Sequence, residues 1–583
     1  QGYGVVVQGA APSQVATFRR NMITCGGGWP QGACGLSLVA WTYGRDADPS
    51  IEGAVDQVRA WIDVWVGLDA RSKEEVGEAW AVELEKRAKT PPQARWRRVI
   101  GPMAATIHTL CEQGWIPIRP DRWIYPKLEI QGVIGDQPNT SFEILKLVKQ
   151  VAKDEVWKAA SRHRGGGGLE KGAPWWDLAK EVEKWFRKQG RSEEANNMRT
   201  VVCGGQWEGA RIRQAYPQVD RCVTSCPFCG EDDETLTHRY WTCSRLKDHG
   251  DVHVKRTNYL VKEATKAKAK ERECLWTRGL VPNDEWDIAP PPTSRDQAER
   301  SITVKGDRSK WRSDEATLAS DGGGAERHIN PILAQVAAAF AAVDSGIRSK
   351  DDGEKFVAAC CQVPGRQTIP RAELWALAMI LAERCGLRSE VWVDAEYVCK
   401  GVRAWGTRQQ QRYAGGENGD LWCLLYDRME QERIGGQEEP LVVRKIKSHL
   451  EWADHPRGVT REGWVANAVA GEFAGIGAKR WQLPADFHIF LEKVRARGFG
   501  ILRRIAILEK EAIDARPSMV PAPRSFVAKA ARTIAEEVRN YVCGTDARGH
   551  HLISKGKQVV CTRCRKVRGM KFDGWDTLLC GMM

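Results

Sequence analysis

The sequence predicts a multidomain chain: a mainly helical N-terminal region, an α/β domain of short apolar strands and helices, and two small Cys/His modules. Three observations predict it. At about 150 residues per domain, 583 residues make three to four domains. Apolar residues recur at threes and fours early in the chain and fall into short runs between 316 and 477. Cysteines and histidines gather in two places, each containing a Cys-x-x-Cys pair.

Composition narrows the classes. Hydrophobic residues make up 42% and charged residues 28%, which excludes a chain disordered or fibrous throughout. The longest nearly uncharged apolar run, Ile332 to Val343, is far short of the roughly 20 residues that span a bilayer, so no membrane partner is expected. Residues Gln1 to Arg20 lack a basic segment followed by an apolar one, and the chain reads as a fragment rather than a secreted protein. A net charge of +13 favours polyanionic partners. The 18 cysteines are too sparse for a disulfide framework and fit zinc in a reducing compartment. Trp is unusually frequent, with 25 copies, and is expected in the core.

In chain order, 1–164 is a helical region in which Val55, Val58, Trp61, Ile62 and Trp65 share a helical face. Gly165 to Gly168 reads as a flexible linker. Residues 169–250 form a zinc-binding region, and 251–300 a charged helix bearing Lys262, Lys266, Lys268, Lys270 and Arg272, then a Pro-rich linker. The α/β domain occupies 316–477, a basic helical linker 478–540, and a C-terminal module 541–583.

Cys226, Cys229, His238 and Cys243 offer three thiolates and an imidazole, a set suited to tetrahedral zinc. Four protein ligands leave no open position, so this zinc is expected to be structural. Cys222 and Cys203 are spare thiols that can displace a member of the set. In the second cluster Cys561 and Cys564 form the knuckle, with His551 before it and Cys580 after it; Cys543 is the alternative to Cys580.

The α/β segment carries acids in separate elements. Ala316 to Asp321 is an apolar run ending in an acid, followed by Gly322-Gly323-Gly324. Pro370-Arg371-Ala372-Glu373 opens a helix with Glu373 in its first turn, and Val391-Trp392-Val393-Asp394 is a strand ending in an aspartate. Val442 to His449 alternates as a strand and delivers His449 into a loop; Val465 to Ala474 reads as a helix. Hard divalent cations need such carboxylates to converge, and phosphodiester hydrolysis uses two cations.

In order and context these motifs resemble those of type 1 ribonuclease H domains. The resemblance implies a mixed five-stranded sheet with flanking helices and Mg2+ or Mn2+ held by Asp321, Glu373 and Asp394. It also implies His449 in proton transfer or product release, and an RNA–DNA hybrid as substrate. Where the family places its last aspartate, this chain has Asn467. One lost charge should weaken occupancy by a second cation, so a nucleic-acid-binding protein with reduced or lost activity is the alternative. An integrase-like enzyme fits less well, because that class has Glu as its third acid. Arg444, Lys445 and Lys447 are candidate phosphate contacts. The segment Val202 to Cys243 resembles the zinc-binding region that follows the reverse transcriptase of non-LTR retrotransposons, which implies an intracellular, nuclear protein. No aromatic-x-Asp-Asp polymerase signature is present, so DNA synthesis is not expected.

Overall fold

The computed structural model describes residues 11–28, 32–126, 130–134, 138–232, 234–288, 290, 293–324, 332–447, 452, 458–516, 552–555, 558–561 and 567–569. By its contacts the chain divides into two compact units, Gln1–Glu208 with Glu234–Glu511, and Gly209–Asp233 with Ala512–Met583.

The larger unit begins with helices α1 (Pro12–Cys25), α2 (Gly35–Tyr43), α3 (Pro49–Val66), α4 (Ala70–Lys89) and α5 (Gly101–Glu112). A three-stranded antiparallel sheet follows, β1 (Ile116–Arg119), β2 (Arg122–Tyr125) and β3 (Ile130–Val133), then α6 (Pro138–Ser161). The apolar face read from the sequence is the buried face of α3, which packs with Trp80, Trp123 and Val148. Indole N–H groups of Trp61 and Trp80 donate to the carbonyls of Pro120 and Pro117, both at 2.9 Å, so two large side chains are buried without an orphan donor. Among the described residues, the fully buried side chains include Trp80, Trp123, Trp157, Trp241, Trp311, Trp375 and Trp422, which places much of the Trp excess in cores.

Two expectations are corrected here. Gly165 to Gly168 is a packed corner, not a linker: Gly165, Gly166 and Gly168 are buried, and a Cβ on Gly167 would lie 2.7 Å from the Lys270 carbonyl oxygen. Glycine serves there for close backbone approach rather than for freedom. The charged helix is broken, because Lys266 takes an extended conformation (ψ 152°) between Val261–Ala264 and Ala267–Arg272. Helices α7 (Trp176–Lys188) and α8 (Ser192–Val202) precede that segment.

The α/β part is a three-layer arrangement around a six-stranded mixed sheet, one strand more than expected. Its strands are β4 (Thr303–Lys305), β5 (Thr317–Gly323), β6 (Ala337–Val343), β7 (Phe356–Gln362), β8 (Ser389–Val393) and β9 (Leu441–Lys445), in the order β4-β7-β6-β5-β8-β9. The added strand β4 pairs with the edge of β7. Strands β4, β7, β6 and β5 pair antiparallel, whereas β5, β8 and β9 run parallel. Along β6 the side chains alternate faces: Ala338, Phe340 and Ala342 join one core, Ala339, Ala341 and Val343 the other. Helices α9 (Ile369–Glu383), α10 (Glu396–Arg403) and α11 (Gly419–Ile434) cover the first face, and α12 (Arg461–Arg480) covers the second. Helix α13 (Ala485–Ala515) follows, where the basic linker was expected to be helical.

In the smaller unit, Asp220 caps the short helix Arg221–Thr224, and the backbone forms three antiparallel strands, β10 (Leu552–Lys555), β11 (Gln558–Cys561) and β12 (Val567–Gly569). Among the described residues no helix is long and apolar enough to cross a membrane.

Candidate metal centres

The parallel pairing of β5 with β8 sets Leu318, Ala319 and Ser320 beside Val391, Trp392 and Val393. Asp321 and Asp394 each follow the last of these pairs, so both emerge at the carboxyl edge of adjacent parallel strands, where α/β sheets place their ligands. The glycines after Asp321 let the helices close on this edge. A Cβ on Gly322 would stand 2.9 Å from the Ile369 carbonyl oxygen and 3.1 Å from Glu373 Cγ. Without it, α9 carries Glu373 up to the aspartates from its second turn, since the helix begins at Ile369 rather than just before the acid. One oxygen each of Asp321, Glu373 and Asp394 lies within 4.8 Å of the others.

This geometry concentrates negative charge. Glu373 is 2% exposed, and burial followed by the charges of Asp321 and Asp394 holds its pKa well above the ordinary carboxylate range. Its buried Oε2 has no hydrogen-bond partner among the described residues. Asp321 Oδ1 accepts the Gly322 N–H at 2.7 Å, which fixes that carboxylate. A divalent cation answers each feature, since it supplies the missing countercharge and accepts oxygen ligands from separate elements.

Asn467 lies on α12, half-buried, with its Oδ1 buried and unpartnered among the described residues. Glu472, five residues on along the same helix, is exposed and pairs with Lys350 at 2.8 Å, so it does not replace the absent carboxylate. His449 lies outside the described residues. Of the candidate phosphate contacts, Arg444 is paired with Glu390, Lys445 donates from Nζ to the backbone carbonyls of Asp394 and Ile446, and Lys447 is exposed. Lys445 is thus a brace for the Asp394 backbone, a role its position in a basic run did not suggest.

Sequence reasoning also missed the role of Arg371. It is 5% exposed and grips Asp420 of α11 with both terminal nitrogens, one of them at 2.8 Å, tying the helix that carries Glu373 to its neighbour. The sequence signal was an arginine two residues before Glu373 in a largely apolar helix.

Cys226, Cys229, His238 and Cys243 each offer a ligand atom within 4.8 Å of the others, so this cluster can hold a zinc ion. Gly230, at φ +77°, donates to the Cys226 carbonyl at 2.8 Å and turns the chain after the thiolate pair. A π-helical turn, His238–Thr242, carries the imidazole and delivers Cys243, whose N–H donates to the His238 carbonyl at 2.9 Å. The spare thiols are not members of the cluster. Cys222 is exposed beside the Asp220 cap, and Cys203 ends α8, where burial pushes its thiol up to about 12. Within the larger unit, Arg239 is fully buried between Glu234 and Glu509, with Nε to Glu234 Oε1 at 2.7 Å and Nη1 to Glu509 Oε2 at 2.5 Å. Tyr240 donates to the same Glu509 oxygen at 2.7 Å.

For the second cluster, His551, Cys564, Cys580 and the alternative Cys543 lie outside the described residues, and Cys561 ends β11. No family model and no curated protein matches the chain.

Proposed function

We propose that the chain hydrolyses the RNA strand of RNA–DNA hybrids at the Asp321, Glu373 and Asp394 cluster, on a ribonuclease H-type scaffold of non-LTR retrotransposon origin. The observation that carries this reading is the convergence of three carboxylates from β5, α9 and the end of β8 to within 4.8 Å. Divalent cations, Mg2+ or Mn2+, supply there the activation of an attacking water and the stabilisation of the leaving oxygen in an in-line displacement. The three carboxylates would hold them, with the unpartnered Asn467 Oδ1 as a neutral oxygen donor. Gly322 N–H keeps Asp321 oriented, and Lys445 keeps the Asp394 backbone in place. Lys447 is available to a substrate phosphate, and His449 takes the proton-transfer or product-release role that the family resemblance assigns. Recognition would follow the A-form shape and the 2′-hydroxyls rather than base sequence. A retroelement origin places the protein in the nucleus.

Asn467 supports a second reading, in which a site short of one negative charge binds hybrids without cleaving them. The full-length chain and Asn467→Asp, compared on a labelled hybrid with magnesium and with manganese, separate the two. Cleavage by the wild type, leaving a 3′-hydroxyl and a 5′-phosphate and rising about tenfold or more in Asn467→Asp, is the result expected of an enzyme. Hybrid binding without cleavage in both proteins is the result expected of a binding protein.

A further inference from the structure

Helix α12 carries glycines at 463, 471, 475 and 477, which cost helix stability relative to alanine and differ in what surrounds them; a Cβ on Gly463 would meet Trp392 Cε2 at 2.5 Å. A Cβ on Gly477 would meet Ala337 Cβ at 2.8 Å, which is core packing. A Cβ on Gly475 would meet nothing within 4 Å among the described residues outside its own helix backbone. A Cβ on Gly471 would lie 2.7 Å from Asp321 Oδ2 and 3.8 Å from Asp321 Cγ, with no other atom of the described residues outside its own helix backbone within 4 Å. The empty space at Gly471 is therefore filled by one oxygen of the site. The other oxygen of that carboxylate accepts the Gly322 N–H at 2.7 Å.

We propose that Gly471 is a positioning residue for the carboxylate cluster, a role that rests on the reading of that cluster as a cation site. The missing side chain lets the Asp321 carboxylate lie against α12, one turn from Asn467 on the same helical face. An added methyl group is opposed only by the end of a short, rotatable side chain, so the fold accepts it and the carboxylate turns away. The helix gains a better helix former while the site loses its geometry. Gly475, one further turn along that face, shares the helix effect and not the contact, and it supplies the control.

The test uses the full-length chain and its Gly471→Ala, Gly475→Ala and Asp321→Asn variants, with Mn2+ affinity read by titration calorimetry and Tm read without added Mn2+. Gly471→Ala is expected to bind Mn2+ about tenfold to a hundredfold more weakly, the range for residues that orient metal ligands. Its Tm should be equal to or above that of the wild type, and Gly475→Ala should match it in Tm while keeping wild-type affinity. Wild-type Mn2+ affinity in Gly471→Ala overturns the positioning role and leaves the cation site standing. A Tm that falls in Gly471→Ala but not in Gly475→Ala also overturns it, because Gly471 would then be a packing residue. A wild-type chain that binds Mn2+ no better than Asp321→Asn overturns the cation site itself, and the positioning role with it.

Discussion

The two clusters are assembled in opposite ways. Cys226, Cys229, His238 and Cys243 sit in one short stretch, and two turns suffice to gather them. Asp321, Glu373 and Asp394 belong to β5, α9 and the end of β8, and they meet only when the sheet and its covering helix are complete. The first set is mostly thiolate, the second all carboxylate. A site written in local spacing is legible before any fold is known, and its surroundings depend on the ion. A site written in topology depends on the fold, and the fold must hold it against its own repulsion. Losing the ion should therefore damage structure in the first case and only chemistry in the second.

The largest effect that tests this contrast is zinc loss. Structural zinc sites in small modules contribute on the order of 10 kcal/mol to folding. Cys226→Ser is expected to lower bound zinc by one equivalent, measured by elemental analysis, and to raise amide hydrogen exchange across residues 226–243. Retention of zinc with unchanged exchange would break the comparison. Next is Arg239→Leu, which leaves Glu234 and Glu509 buried without their cation. Denaturant unfolding should show a loss of about 3–5 kcal/mol.

Asp321→Asn should do the reverse at the carboxylate cluster. Without magnesium or manganese it is expected to raise Tm by about 2–4 °C, roughly the response to 1 kcal/mol in a domain of this size, while abolishing cleavage. The pH dependence follows from Glu373. Unfolded, it releases its proton near the ordinary glutamate value of 4.5; folded, it keeps the proton to higher pH because of burial and its acidic neighbours. The folded state binds more protons in that interval, so stability falls as pH rises above 4.5 toward the raised pKa. Melting curves from pH 4 to 8 should show this decline in the wild type and a shallower one in Asp321→Asn.

The smallest effect comes from a region without a cluster. Burial, then the charges of Arg87 and Arg95, lowers the pKa of His108 to about 4, and its Nδ1 lies 2.8 Å from Arg87 Nη1. The unfolded chain takes up this proton near 6.5, so the stability that His108 contributes by staying neutral is lost as pH falls from 6.5 toward about 4. His108→Gln should flatten the stability curve across that window.

Much of the α/β part was legible because its strands are short apolar runs and its acids stand at strand ends, so Asp321 and Asp394 were found as residues before they were found as neighbours. Strand β4 was not, since Thr303 to Lys305 is too short to form an apolar run and is defined by its pairing with β7. Gly165 to Gly168 has the composition of a linker, and only the Lys270 carbonyl and its neighbours reveal a packed corner. The lysine-rich helix lacked the apolar stripe that would have held it in one piece. Arg371 and Gly471 share one difficulty: the atoms that give them meaning, in Asp420 and Asp321, lie far along the chain.

The central claim is that Asp321, Glu373 and Asp394 form a hydrolytic cation site. Its most direct test is cleavage of a labelled RNA–DNA hybrid by the full-length chain, titrated with magnesium and manganese beside Asp321→Asn. Cation-dependent loss of the RNA strand, absent in Asp321→Asn, is the predicted result. Cleavage that persists in Asp321→Asn, or none at any cation concentration, would contradict the claim.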